Sequence, residues 1–122
     1  MALKLSSRQQ AQLAFLQTVP PKLERAHTVI EQMAILQADE LTVRNFARML
    51  DELKVQAAGL GLTGIADTAG IMATMARRGG GVQMKVRGLR ELLGSMRTNY
   101  EGALKLASTP EQAEGGAEPP SS

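Results

Sequence analysis

Asp51 is the side chain most open to a chemical interpretation, because two cationic residues lie within one helical turn of it. Arg48 and Lys54 are each three residues away, a spacing that brings side chains together on one helix face. An aspartate accepts a phosphoryl group only where clustered acids hold Mg²⁺ and a cation stabilises the transferred group. Glu52 points about 100° round a helix from Asp51, so it completes no such cluster. The residues themselves predict a solvent-exposed acid paired with Arg48 or Lys54, and no catalytic group.

His27 is the other residue that could act as a nucleophile, and it is the only histidine of the chain. It borders the apolar positions of its segment, so we expect a half-buried side chain with a structural role. The chain has no cysteine, and a single histidine does not supply the ligand set of a protein metal site. We therefore expect no metal, no cofactor and no small-molecule substrate.

Positive charge is concentrated between residues 77 and 97. The six basic residues there are Arg77, Arg78, Lys85, Arg87, Arg90 and Arg97. Clustered positive charge favours nucleic acid, but no aromatic residues that stack on bases lie between them, and no DNA-reading motif is present. We expect a solvated helix face, with an acidic partner protein as the alternative. Gly79-Gly80-Gly81 lacks the Lys-Ser/Thr of phosphate-binding loops, so it is predicted to be a linking turn.

The elements that position these residues are predicted to be helices, because apolar residues recur at three- and four-residue spacing. A short first helix begins after Ser6 or Ser7, and longer helices begin near Pro21, Asp39, Thr63 and Val82. Thr63 is expected to cap the fourth helix. Short connections force antiparallel neighbours, so the predicted fold is all-α: an up-down-up-down four-helix bundle with a short extra N-terminal helix against one end.

The chain is predicted to contain one domain, since 122 residues suffice for a single core. Residues 1–107 form the bundle. Residues 108–122 are rich in Glu, Gly, Pro and Ser and cannot bury enough apolar surface to order themselves. This segment is therefore expected to be a disordered acidic tail.

The predicted central helix has one apolar and one polar face. Its apolar stripe consists of Phe46, Met49, Leu50, Leu53, Ala57 and Leu60. Gly59 and Gly61 follow, and glycine tolerates the left-handed backbone that ends a helix. The helix is therefore predicted to end there, with its charged residues on the opposite side.

This central stretch resembles the phosphoacceptor helix of histidine-phosphotransfer domains. The family signature is His-x-Leu-Lys-Gly, then small residues, then Leu-Gly and a further helix with an apolar stripe. The matching residues here are Leu53-Lys54, Ala57-Ala58, Leu60-Gly61-Leu62, and then Ile65, Ala69 and Met72. The resemblance covers residues 5–107 and implies the same bundle layout.

The departures from the signature lie at its chemical positions. Asp51 replaces the phosphoacceptor histidine, Val55 replaces the glycine beside it, and Ala73 replaces a glutamate in the next helix. Lys54 is retained and would still supply a cation. The resemblance thus implies a degenerate phosphoacceptor slot of Asp51, Lys54 and Val55, in a fold that has lost its phosphotransfer chemistry.

A receiver domain is the partner that the resemblance implies, in bacterial two-component signalling. The predicted partner-binding face consists of Arg44, Arg48, Met49, Asp51, Glu52, Val55 and Ala58, with contributions from the second helix. The expected function is therefore a non-catalytic adaptor that docks a receiver through its central helix.

Two alternatives of different classes remain at the level of sequence. One is an active phosphotransfer protein that uses His27 or another acceptor, although His27 lacks the following Lys and Gly of the signature. The other is a structural or oligomerising bundle unrelated to phosphorelay. Its hint is a set of apolar residues off the main stripes, namely Val29, Ile35, Leu36 and Val43.

The sequence also bears on location. No apolar run approaches the roughly 20 residues that a membrane-spanning helix needs. The N-terminus lacks the long apolar segment of a secretory signal. We therefore expect a cytoplasmic protein that does not engage the membrane.

Overall fold

A computed structural model describes residues 4–111, which form five α-helices and contain no β-strand. The helices are α1 (Ser7–Leu16), α2 (Val19–Ala34), α3 (Glu40–Gly59), α4 (Thr63–Arg77) and α5 (Val82–Ser108). The predicted all-α class is confirmed, and the four longer helices pack together with α1 against α5 and α2. Within residues 4–111 no helix is long and apolar enough to cross a bilayer. Most of the predicted tail, residues 112–122, lies outside the described residues.

Side-chain caps explain where α1 and α3 begin. Ser6 Oγ accepts a hydrogen bond from the Gln9 backbone N–H at 3.0 Å, and Gln9 Oε1 accepts one from the Ser6 N–H at 2.9 Å. This reciprocal pair satisfies two backbone donors that the first turn leaves free. Asp39 Oδ1 accepts from the Thr42 N–H at 2.7 Å. The predicted starts at Ser6 and Asp39 are therefore confirmed.

One predicted cap is wrong by one residue and one predicted start by two, although α4 begins at Thr63 as predicted. Thr63 is the first residue of α4, and Leu62 occupies the cap position without a side-chain bond. Gly61 has a left-handed φ of 73°, which ends the turn after α3. Leu62 is therefore the residue directly before the first turn of α4. The second helix begins at Val19 instead of Pro21, because the first helical turn tolerates residues that lack an N–H.

The core is built mainly from aliphatic side chains, methionine and alanine, with two buried aromatic residues, Phe15 and Phe46. The helix α4 contributes four buried alanines, Ala66, Ala69, Ala73 and Ala76. Small side chains let helices approach closely, and α3 and α4 share the most extensive interhelical contact. This agrees with the close packing that the glycine and alanine content of α4 predicts.

The apolar residues of α1 (Ala11, Leu13, Phe15 and Leu16) do not form its buried face by themselves. Phe15 and Leu16 are buried, but Ala11 is exposed, and two glutamines are buried in its place. Gln9 Nε2 donates to the carbonyl oxygens of Leu106 and Thr109, and Gln12 Nε2 donates to that of Leu60 at 2.9 Å. Carbonyls at helix C-termini have no partner within their own helix. The buried face of α1 is therefore amide as well as apolar, because it packs against the ends of α3 and α5.

Candidate protein-binding face on α3

The outer ridge of α3 is exposed because the opposite ridge supplies the core. Phe46, Leu50, Leu53 and Ala57 are buried at three- and four-residue spacing. The predicted partner-binding residues that lie exposed on the outer side are Arg44, Arg48, Glu52, Val55 and Ala58. Val55 is the most prominent, with 69% of its surface exposed. Among the described residues Val55 is thus an exposed β-branched apolar side chain with charged neighbours, available to a partner.

Met49 does not share this surface. It is partly buried and lines a narrow apolar cavity with Lys22 and Leu23 of α2. On a helical wheel it lies about 120° from Val55, since six residues advance a helix by 600°. The structure therefore separates Met49 from the rest of the predicted face, and the α2 side of α3 is closed by packing.

Asp51 pairs with a residue that the sequence does not point to. The guanidinium Nη2 of Arg77 in α4 donates to Asp51 Oδ2. The predicted partners Arg48 and Lys54 are wrong, because the close approach of α4 brings Arg77 to the carboxylate although 26 residues separate the two in sequence. Both side chains remain about half exposed, at 52% for Arg77 and 44% for Asp51.

The ion pair sets the charge state of the degenerate slot. The hydrogen bond from Arg77 is the main cause of a lowered pKa of Asp51, burial opposes it, and the charges of Arg77 and Lys54 lower the pKa further. The same hydrogen bond raises the pKa of Arg77. Both groups are therefore charged at neutral pH, and the negative charge of Asp51 is neutralised within the molecule.

Lys54 extends toward α4 instead of standing beside Asp51. Its Cδ atom lies 3.2 Å from the point where a β-carbon on Gly70 would be placed. The side chain crosses the helix pair at this glycine and borders an open depression that Ile71 and Thr74 also line. In the predicted slot, Asp51 is therefore neutralised by Arg77, Lys54 extends over Gly70 of α4, and Val55 is exposed.

The slot holds one carboxylate, Asp51, without a cluster of acids around it among the described residues. An aspartate acceptor needs further acids to hold Mg²⁺, and residues 4–111 contain no group of three or more metal-ligating side chains. What the ridge does offer is an apolar contact residue flanked by charges. The geometry therefore supports binding more readily than chemistry.

His27 lies on α2 and is exposed, so the expectation of a half-buried side chain is wrong. Ala26 occupies the buried position, and one residue further along a helix turns the side chain by about 100°. Among the described residues Glu31 is a charged neighbour, since His27 contributes to the lowered pKa of Glu31 behind the larger effect of the Arg90 hydrogen bond.

The basic residues between 77 and 97 do not form a free positive stripe. Arg90 donates two hydrogen bonds to Glu31 at 2.7 and 2.9 Å, and Arg97 lies 4.0 Å from Glu24. Together with Arg77, half of the set is paired with acids of other helices. Gly79-Gly80-Gly81 links α4 to α5 as predicted.

The apolar residues that hinted at oligomerisation divide into two groups. Val29 is fully buried and Val43 is partly buried, so neither is available to a partner. Ile35 and Leu36 are 62% and 74% exposed. Of these four residues, only Ile35 and Leu36 at the end of α2 are therefore exposed enough to favour oligomerisation.

The sequence contains only weak signals for the Asp51–Arg77 pair and for the contact between Lys54 and Gly70. Both depend on which turns of α3 and α4 face each other, and periodicity within one helix does not contain that information.

No protein-family profile, curated protein or solved structure matches this chain.

Proposed function

We propose that this chain is a phosphotransfer-like four-helix bundle that has lost phosphotransfer chemistry and binds a receiver domain through the exposed ridge of α3. The ridge comprises Arg44, Arg48, Asp51, Glu52, Val55 and Ala58. The observation that carries the proposal is the state of the slot: the acid in the phosphoacceptor position is held by Arg77, and the residue one turn later is an exposed valine. A surface of this kind binds without transferring a group.

The proposal includes the up-down-up-down arrangement of α2 to α5, and contacts between helices support it. Between α3 and α4, Asp51 contacts Arg77 and Lys54 contacts Gly70. Between α2 and α5, Glu24 contacts Arg97 and Glu31 contacts Arg90. Between α4 and α5, Thr68 contacts Asn99 and Met75 contacts Gly88. In each helix pair the residue number rises along one helix as it falls along the other. Such contacts are expected of antiparallel neighbours.

The apolar centre of the ridge favours a protein partner over a small molecule. Arg44 and Arg48 lie on one side of Val55 along the helix axis, and Arg44 makes only a long contact of 3.8 Å to Glu40, which is 89% exposed. An apolar contact residue with a polar rim is the composition that protein interfaces use. The receiver is the partner class that the signature residues around Leu53-Lys54 indicate.

The test uses the full chain as bait for proteins of its own cell, followed by titration of each captured receiver-containing protein by calorimetry. The variant is Asp51→Arg/Val55→Glu. The matched control is Glu101→Arg/Leu106→Glu on α5, which makes the same two changes in charge at exposed positions. We expect a receiver to bind the natural chain and the control but not the α3 variant. Equal binding of a receiver to all three would contradict docking through α3, and the failure of every receiver to bind would contradict the proposed function.

A further inference from the structure

Leu36 has a backbone conformation that disfavours leucine. It follows the C-terminus of α2 with φ of 59°, and it is the only residue other than glycine with positive φ among residues 4–111. Helices commonly end in this left-handed conformation, but on glycine or asparagine, because a side chain there clashes with the backbone. The Leu36 side chain is 74% exposed, so contacts within the chain do not offset the strain.

Two more exposed apolar residues lie at the same connection. Ile35 is 62% exposed and Leu41, in the first turn of α3, is 59% exposed. We call these three residues the α2–α3 corner. The charged residues between them are Asp39, which caps α3, and Glu40. The corner is therefore an apolar projection with an acidic border.

A complementary surface lies at the connection between α4 and α5. It is a recess of about 310 Å³ lined by Met75, Arg78, Gly79, Gly81, Met84 and Lys85. Met84 is 79% exposed, and methionine adapts its flexible side chain to irregular apolar partners. The recess thus has an apolar floor of methionines and glycines and a basic border of Arg78 and Lys85.

The corner and the recess lie at the same end of the molecule. The bidentate contact between Glu31 and Arg90 places the last turn of α2 beside the first turns of α5. Leu36 is five residues beyond Glu31, and Met84 is six residues before Arg90. The contacts of Glu24 with Arg97 and of Glu31 with Arg90 show that α2 and α5 run in opposite directions, so Leu36 and Met84 both lie beyond the Glu31–Arg90 contact toward the same end.

We infer that this end of the bundle is a self-association surface, in which the α2–α3 corner of one copy inserts into the α4–α5 recess of a second copy. The acidic border of the corner meets the basic border of the recess, so the two surfaces are complementary in charge, and both have apolar centres. Because both lie at one end, a twofold axis makes each contact twice and closes the assembly as a dimer. This inference goes beyond the proposed function and does not depend on it.

The small size of the two surfaces makes the dimer weak. A stable interface buries roughly 800 Å² of each partner, which three apolar side chains and a shallow recess reach only through the twofold repetition. We therefore expect a reversible equilibrium between monomer and dimer, and a dimer that weakens at high salt because its borders are charged.

The test is sedimentation velocity of the full chain from low to high micromolar concentration. We expect the weight-average mass to rise from 13.0 kDa toward twice that value. Leu36→Gly is expected to weaken association at least about tenfold without lowering the melting temperature of the dilute protein, because glycine relieves the strained backbone. Met84→Glu is expected to weaken it similarly from the other surface. Leu106→Glu, at an apolar position that is 76% exposed elsewhere, is the control and should associate normally.

A charge exchange identifies the contact between copies. Glu40→Lys and Lys85→Glu are each expected to weaken association, and the double variant is expected to restore it. A chain that stays monomeric at every concentration would overturn the inference. So would a dimer that Leu36→Gly and Met84→Glu leave intact, because that dimer forms through another surface.

Discussion

Alanine substitution of three glycines inside helices measures how closely the helices of this bundle approach one another. Gly94→Ala places a methyl group in α5 where no other atom lies within 4 Å. Alanine is favoured over glycine in a helix interior by about 0.8–1.0 kcal/mol. We therefore expect Gly94→Ala to raise the free energy of unfolding by about 1 kcal/mol, or about 4 °C in melting temperature for a domain of this size.

Gly70→Ala and Gly88→Ala gain the same helix propensity but meet different neighbours. A β-carbon at position 70 lies 3.2 Å from Lys54 Cδ, the flexible part of an exposed side chain, which can move aside. A β-carbon at position 88 lies 2.6 Å from Met75 Sδ, between α4 and α5. Met75 Sδ is also near the end of a flexible side chain, so it can move, but it must shift further than Lys54 does. We expect Gly70→Ala to stabilise by about 0.5–1 kcal/mol and Gly88→Ala to stabilise less than Gly94→Ala, because the displaced Met75 loses part of its packing.

The assay is urea unfolding followed by far-ultraviolet circular dichroism, with the slope of the transition compared among the variants. An equal slope means that the change lies in stability and not in the compactness of either state. If Gly88→Ala stabilises the chain as much as Gly94→Ala does, the close approach of α4 and α5 at Met75 is wrong. If Gly94→Ala gives no stabilisation, the reasoning from helix propensity fails for this protein.

Three further predictions concern other parts of the molecule. Gln9→Met preserves the volume of a buried side chain but removes its hydrogen bonds to two terminal carbonyls and to the Ser6 backbone N–H, so we expect a loss of about 1–3 kcal/mol by urea unfolding. Unchanged stability would show that water replaces those bonds fully. The melting temperature should fall as pH drops below about 4. Asp51 and Glu31 have folded-state pKa values below their ordinary pKa values of 3.8 and 4.5, so the stability they contribute at higher pH is lost when they are protonated. Asp51→Asn should reduce this pH dependence in a series of thermal melts. Incubation with a phosphorylated receiver and labelled phosphate should leave the chain unlabelled, and an acid-labile label that His27→Gln abolishes would establish phosphotransfer instead.

The helices are predictable from the sequence because the information lies within each segment. The apolar spacing of Phe46, Leu50, Leu53 and Ala57 sets both the existence of α3 and its buried face. Gly61 marks its end because no other common residue takes a left-handed backbone without strain. Side-chain chemistry at Asp39 sets its start. Each of these signals acts over a few residues, which is the range that one sequence shows directly.

The pairing of side chains between helices is not predictable in the same way. Arg77 reaches Asp51 only because α4 returns along α3 in one particular register, and several registers bury the same apolar stripes. The burial of Gln9 has a similar cause. A glutamine by itself predicts a surface position, and its burial here depends on a carbonyl of α5 that accepts a hydrogen bond from its amide. The exposure of Val55 follows from its own helix and is predictable, whereas the partner of Asp51 lies on another helix and is not.

The amide of Gln9 joins the two extremes of the described chain, with 97 and 100 residues separating it from the carbonyls of Leu106 and Thr109. During synthesis the first helix therefore emerges long before its binding partner exists. The pair α3 and α4, joined by only three residues and in extensive contact, is able to form early. The buried amide of Gln9 must wait for its acceptors until the end of α5 has left the ribosome. Emergence of residues 106–109 is thus the step that permits closure of this end of the molecule, and ribosome-bound chains in which residue 106 has not emerged should expose α1 to protease.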